Sequence, residues 1–209
     1  MLPFIGSNYE AMRDKIFILG ESHYFDREII DVFKNTKEGS LYLTDWYNQT
    51  SQGWEKERKE YIDTRWNLIQ IEVNKKRTKP LTSYYNLKKE LGENVHLVNK
   101  EMVFSNFVYF NYFQRPAFIS GESVINNEKD NEIAYSTFIC LTKLLRPNKI
   151  IFASIQSYNA FQYMNKNPFD FLKGVKIDFV PHASCKWWNK RANKYNNMTG
   201  KEKFITLLK

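Results

Sequence analysis

Apolar residues along this chain gather in short unbroken runs separated by longer amphipathic stretches. Residues 15–19 (K-I-F-I-L), ending at Gly20, suit a buried strand. Residues 106–111 (N-F-V-Y-F-N), 149–153 (K-I-I-F-A) and 175–180 repeat the pattern, the last ending at Pro181 and His182. Between these runs the spacing turns helical. Ser51 is placed to cap a long helix over about residues 54–74. On it Ile62, Trp66, Ile69 and Val73 make one apolar stripe, expected to pack on the core. Lys75, Lys76, Arg77 and Lys79 suit that helix's C-terminal dipole. Residues 24–33 open a shorter helix, and residues 84–91 form one stopped by Gly92. Asn131 caps another, with Ala134, Phe138, Leu141 and Leu145 as its stripe and Pro147 as its end; a short helix follows over residues 156–165.

Strand and helix therefore alternate. The expected fold is α/β: a three-layer α/β/α sandwich with a four-stranded parallel sheet, in one domain over residues 1–209. Right-handed crossovers would bring all the strand C-termini to one edge. Residues 20–24, 111–116 and 182–188 follow those ends, so any site is expected there.

Charge adds a second feature. The net charge is +8, and the segment from Pro181 to Lys209 holds seven basic residues against one acid, Glu202. Trp187, Trp188 and Tyr195 are interleaved with those bases. Basic plus aromatic composition suits a surface that grips phosphates and stacks or wedges bases, with a merely solvated basic face as the plain alternative. Two cysteines, Cys140 and Cys185, make no disulfide framework and no four-thiolate cluster. No apolar run approaches the ~20 residues of a membrane span, and nothing at the N-terminus reads as a signal peptide. A cytoplasmic monomer without membrane contact is expected.

Candidate chemistry lies at the predicted strand ends. His23 and His182, two of the three histidines, fall there beside Glu21 and Asn111. Glu21 suits orienting or deprotonating a water, and His182 suits donating to developing negative charge. Asn111 offers both a donor and an acceptor to the edge of a base, or simply closes a strand-end turn.

These segments resemble the uracil-DNA glycosylase superfamily. I-L-G-E-S-H-Y (residues 18–24) is similar to its first motif, a strand running into a short G-E/Q-x-P-G/Y loop that carries the water-activating residue. V-P-H-A-S (residues 180–184) resembles its H-P-S motif, whose histidine stabilises the departing base. Between them, F-V-Y-F-N-Y-F-Q-R-P resembles the segment whose asparagine faces the base, and L-L-R-P-N-K-I-I-F-A-S the lead into the third strand. The resemblance implies Glu21 and His182 as the catalytic pair. It places Ser22, His23, Tyr24 and Asn111 at the base. It places Arg115, Ser184, Lys186, Trp187, Trp188, Lys190 and Arg191 on nucleic acid, with DNA, single- or double-stranded, as partner. The implied reaction is hydrolysis of the N-glycosidic bond of uracil or another damaged or modified base, with no metal and no cofactor. Ser22, His23, Ser154 and Ala183 stand where the family usually has other residues.

Three other readings stay open. A non-catalytic nucleic-acid or nucleotide-binding protein of the same fold needs only the basic edge. G-E-S also resembles the G-D-S block of SGNH-type serine esterases, with Ser22 as nucleophile and His182 as base. Glu21, His23 and His182 are ligand types that suit zinc, at no diagnostic spacing. Trp187 and Trp188 are each as well suited to packing on the core as to touching a partner.

Overall fold

The computed structural model describes residues 2–23, 46–47, 63–75, 78–117 and 123–209. The expected helix over residues 24–33, Tyr24 itself, the Ser51 cap and the 54–62 portion of the long helix lie outside the described residues.

The architecture is α/β, with a mixed five-stranded sheet and five α-helices among the described residues. Strand β1 (Phe4–Ile5) precedes β2 (Ile16–Gly20). Helices α1 (Thr64–Glu72) and α2 (Thr82–Asn94) lead to β3 (Val108–Asn111). Helix α3 (Glu128–Leu145), β4 (Lys149–Phe152), α4 (Ile155–Met164), β5 (Lys176–Phe179) and α5 (Gly200–Leu208) complete the order. The strand order is β1-β3-β2-β4-β5. The four expected strands run parallel, with Gly20 opposite Asn111, Leu19 opposite Phe152, and Phe152 opposite Phe179. The expected sheet is corrected by β1, which adds a fifth strand antiparallel to β3, Phe4 opposite Tyr109. Two residues give no readable periodicity, so β1 carried no sequence signal.

Strand alternation divides the interior into two cores. Ile16, Ile18, Tyr109 and Ile151 face Leu68, Ile71, Leu87, Leu91, Phe204 and Leu208, which come from α1, α2 and α5. Phe17, Leu19, Phe110 and Phe152 face Ala134, Phe138, Ala160 and Phe161, which come from α3 and α4. The second core is aromatic: Phe161 lies 5.1 Å from both Phe138 and Phe152, ring centre to ring centre. Much of the chain's aromatic content is thus interior packing rather than surface.

The helices depart from expectation at particular residues. Asp63 is extended and its carboxylate accepts the Arg65 N–H at 2.8 Å, so α1 starts at Thr64. The expected stripe is also on the wrong face. Ile69 and Val73 are 46% and 60% exposed, while Thr64, Asn67, Leu68, Ile71 and Glu72 turn inward. Polar residues win the inner face because they find partners there: Glu72 accepts the Phe104 N–H at 2.6 Å and pairs with Lys88. Helix α2 runs through Gly92, whose bare Cα faces the Val103 side chain. Helix α3 is capped by Asn127, not Asn131, in a reciprocal box with Asp130, and Arg146 ends it in a left-handed conformation. Helix α5 carries the same box in Thr199 and Glu202, a signature the sequence displays but the apolar pattern alone did not expose. No helix among the described residues is long and apolar enough to cross a membrane.

Candidate functional site

In this strand order the chain passes from β2 to β3 on one side, then returns across β2 to β4. The crevice beyond the carboxyl ends of β2 and β4 is therefore the switch point, where open parallel sheets bind ligands. Glu21 follows β2 directly, and Ser154 stands two residues past β4. Their side chains meet there, Ser154 Oγ donating to Glu21 Oε2 at 2.7 Å.

The Glu21 carboxylate is 6% exposed and its remaining partners are neutral. Val124 N–H donates to Oε1 at 3.0 Å, and Ser123 Oγ donates to Oε2 at 3.4 Å. Ser154 serves twice, since the same oxygen accepts the Ser157 N–H as the N-cap of α4. Ser157 Oγ in turn donates to the Gly20 carbonyl at 3.2 Å. The backbone of residues 20–23 is fixed from the β3 side by N–H groups of Tyr112, Phe113 and Ala117, which donate to Gly20, Glu21 and His23.

Asn111 lies against Gly20 across the β2–β3 pairing. A side chain at position 20 would meet Asn111 Oδ1 at 2.2 Å and the Tyr109 hydroxyl at 2.3 Å, so glycine makes this approach possible. The Asn111 side chain is 3% exposed, yet its Nδ2 has no hydrogen-bond partner, and Ser22 Oγ, 8% exposed, has none either. Buried polar atoms are rarely left so, and these two lie at the ends of β3 and β2.

His182 extends past β5 on a partly exposed loop. Desolvation lowers its pKa, while the nearby Glu21 charge pulls it upward. Its Nδ1 lies 2.8 Å from Ser184 Oγ and accepts the Ser184 N–H at 3.4 Å. With Nδ1 accepting there, the nitrogen of this ring left to donate is Nε2. Asn86, on α2, fixes the loop by donating to the Ala183 carbonyl at 2.7 Å. Pro181 packs so closely on the first residue of α5 that a side chain at Gly200 would reach it at 2.4 Å.

The other expected site residues separate into two groups. His23 is 4% exposed, and its Nε2 pairs with Thr64 Oγ1 at 3.0 Å; burial first, and the positive N-terminus, lower its pKa to about 4 against the pull of Asp63. It ties the loop to α1, so its expected place at the base is corrected to a structural one. Arg115 is also corrected. It is 4% exposed and its guanidinium grips Asp130 with Nε and Nη2, 2.9 and 2.6 Å, while Nη2 also donates to the Ile125 carbonyl at 2.7 Å. Burial alone would raise the Asp130 carboxyl, but hydrogen bonds from Arg115, the Asn127 N–H and Tyr47 hold it below its usual value. Trp188, 2% exposed, packs on Phe204 at 5.8 Å and is out of a partner's reach. By contrast Ser184, Lys186, Lys190 and Arg191 are exposed or half-exposed and Trp187 is half-buried, with the ammonium groups of Lys186 and Lys194 at 4.8 and 5.3 Å from its ring. Arg191 pairs with Glu202 and donates to the Asn197 carbonyl at 3.0 Å.

The serine-esterase arrangement is absent here, since His182 Nδ1 pairs with Ser184 while Ser22 Oγ has no partner. No group of three histidine, cysteine or carboxylate side chains among the described residues is placed to hold a metal ion. Sequence reasoning missed Ser154, Ser123, Val124 and Asn86, whose roles depend on strand order rather than on any local motif. No family model, no curated protein and no solved structure matches this chain.

Proposed function

We propose that this chain is a DNA glycosylase-like N-glycosyl hydrolase acting on uracil or another damaged or modified base. One observation carries the reading: at the carboxyl edge of the sheet that also holds Glu21, Asn111 Nδ2 and Ser22 Oγ are buried polar atoms without hydrogen-bond partners among the described residues. A base extruded from its stack offers the carbonyl and ring-nitrogen edges such atoms require. In the reaction a water held by Glu21 adds its oxygen to C1′ and passes its proton to the carboxylate. The electron pair of the broken C1′–N bond leaves with the base, where His182 Nε2–H receives the charge. Lys186, Lys190 and the lysine-flanked Trp187 supply phosphate attraction beside that edge.

A second reading follows from the three neutral donors that occupy both Glu21 oxygens. On it Glu21 is a structural tether, and the edge binds nucleic acid without cutting it. Incubation with labelled single- and double-stranded oligonucleotides carrying uracil, hypoxanthine, xanthine or hydroxymethyluracil, followed by alkali, decides between the two. Strand breaks that disappear in both Glu21→Gln and His182→Ala establish the hydrolase. Salt-dependent binding without breaks, retained in Glu21→Gln, establishes the binding protein.

A further inference from the structure

We infer that the cleft between α3 and α4 is a binding subsite for an adenine ring, separate from the Asn111 site and independent of the hydrolase reading above. Gln156, Asn159, Ala160 and Tyr163 stand at i, i+3, i+4 and i+7 along α4, so they share one face of that helix. Asn131, in the first turn of α3, and Asn126, just before that helix's cap, complete the lining of a shallow cavity of about 250 Å³. None of the six carries a charge. Ala160 is 6% exposed and too small to fill the gap between the helices, while Tyr163 is 59% exposed. Drug-sized ligands take cavities of about 300–1,000 Å³, so this one suits a single small ring system.

The hydrogen-bond directions inside the cleft are set by a relay of carboxamides. Gln156 Nε2 donates to Asn126 Oδ1, and Asn126 Nδ2 donates to Asn131 Oδ1 at 2.6 Å. Gln156 Nε2 also reaches the Val124 carbonyl at 3.4 Å, which steadies that end of the relay. The relay leaves one acceptor, Gln156 Oε1, at one end and one donor, Asn131 Nδ2, at the other. Adenine presents the complement, because its N6 amino group donates and its N7 accepts. Guanine offers two acceptors on the same edge, and its usual partners are Arg and Lys, which the lining lacks. Tyr163 adds an exposed ring on which a base can stack. Lys166 lies 5.0 Å from the centre of that ring but is not part of the lining.

The test is equilibrium dialysis of the full chain against labelled adenosine. Adenosine should bind at one site, at least about tenfold more tightly than guanosine, cytidine or uridine. Ligand and lining are both uncharged, so raising the salt about tenfold should change nothing. Asn131→Asp turns the donor at Nδ2 into an acceptor at nearly constant shape, and should weaken binding about tenfold or more. Tyr163→Ala should do the same, Tyr163→Phe should bind as the wild type does, and Leu144→Ala, in the last turn of α3, should have no effect. Competing single strands identify where the adenine comes from. Displacement by a deoxyadenosine strand but not by a thymidine strand marks a nucleic acid, and displacement by neither marks a free nucleoside. Equal displacement by both overturns the adenine preference. Absence of adenosine binding, equal binding of all four nucleosides, or binding that survives both Asn131→Asp and Tyr163→Ala overturns the subsite. Displacement of adenosine by free uracil also overturns it, because it places the ligand at Asn111. The excision assay is read separately, and its failure leaves adenosine binding in place.

Discussion

Residues 123–127 and residues 182–195 border the same carboxyl edge of the sheet, and they are held by different means. The first segment is tied by neutral donors and one buried ion pair: Val124 to Glu21, Ile125 to Arg115, Asn127 to Asp130. The second is tied by Asn86 on Ala183, by Trp188 and Tyr195 in the core and by Arg191 on Glu202, and turns Lys186 and Lys190 toward solvent. A segment whose backbone is held by several hydrogen bonds fixes atoms in place, even with Ser123, Ile125 and Asn127 exposed. An exposed cationic segment attracts a polyanion from a distance and adapts to it. On the proposed reading the edge separates positioning from capture, and each is expected to be removable without the other.

The largest expected effect comes from breaking the positioning side. Arg115→Ala leaves the Asp130 carboxylate buried and unpaired, and should destabilise the protein by about 3–5 kcal/mol in denaturant unfolding. A loss under ~1 kcal/mol would show that the segment does not depend on the pair. The capture side divides at its two tryptophans. Trp188→Ala should also lose about 3–5 kcal/mol, while Trp187→Ala should lose under ~1 kcal/mol and instead weaken DNA binding. Equal stability losses in the two variants would erase the distinction drawn between them.

A pH dependence of comparable size is expected from the loop after β2. His23 is held neutral, with its pKa lowered to about 4. Between pH ~6.5 and 4 the unfolded chain therefore takes up a proton that the folded protein refuses. Stability is unaffected above that window, falls as pH drops through it, and has lost about 3 kcal/mol once pH reaches ~4. His23→Gln should flatten that part of the unfolding curve. An unchanged slope would reassign the acid sensitivity to another group.

How far the molecule was legible in its sequence depended on whether the deciding contact was local. Strands β2 and β4 announced themselves because a parallel strand covered on both faces is apolar throughout, as K-I-F-I-L and K-I-I-F-A are. The stripe on α1 misled because its apolar residues were counted and its polar ones were not. Thr64 and Glu72 turn inward on partners, His23 and Phe104, that lie 41 and 32 positions away. The site followed the same rule. Placing Glu21, Asn111 and His182 at strand ends required only the pattern of runs, and the shared edge follows from it. That Ser154 holds Glu21 depends on β4 lying beside β2, which no local motif states. Arg115 read as a phosphate ligand because its partner, Asp130, lies 15 positions further along the chain.

The opposite edge of the sheet bears on how the chain matures. Lys149, at the first position of β4, buries its ammonium and donates to the Leu208 carbonyl at 2.8 Å, while Phe204 and Leu208 complete the core beneath Trp188. Helix α5 is made long after β2, β3 and α2 have left the ribosome. Until it arrives, the part of that face not covered by α1 and α2 stays open to water and to other chains, with a lysine facing an unfilled place. A chain lacking α5 is therefore expected to aggregate more readily than one that carries it.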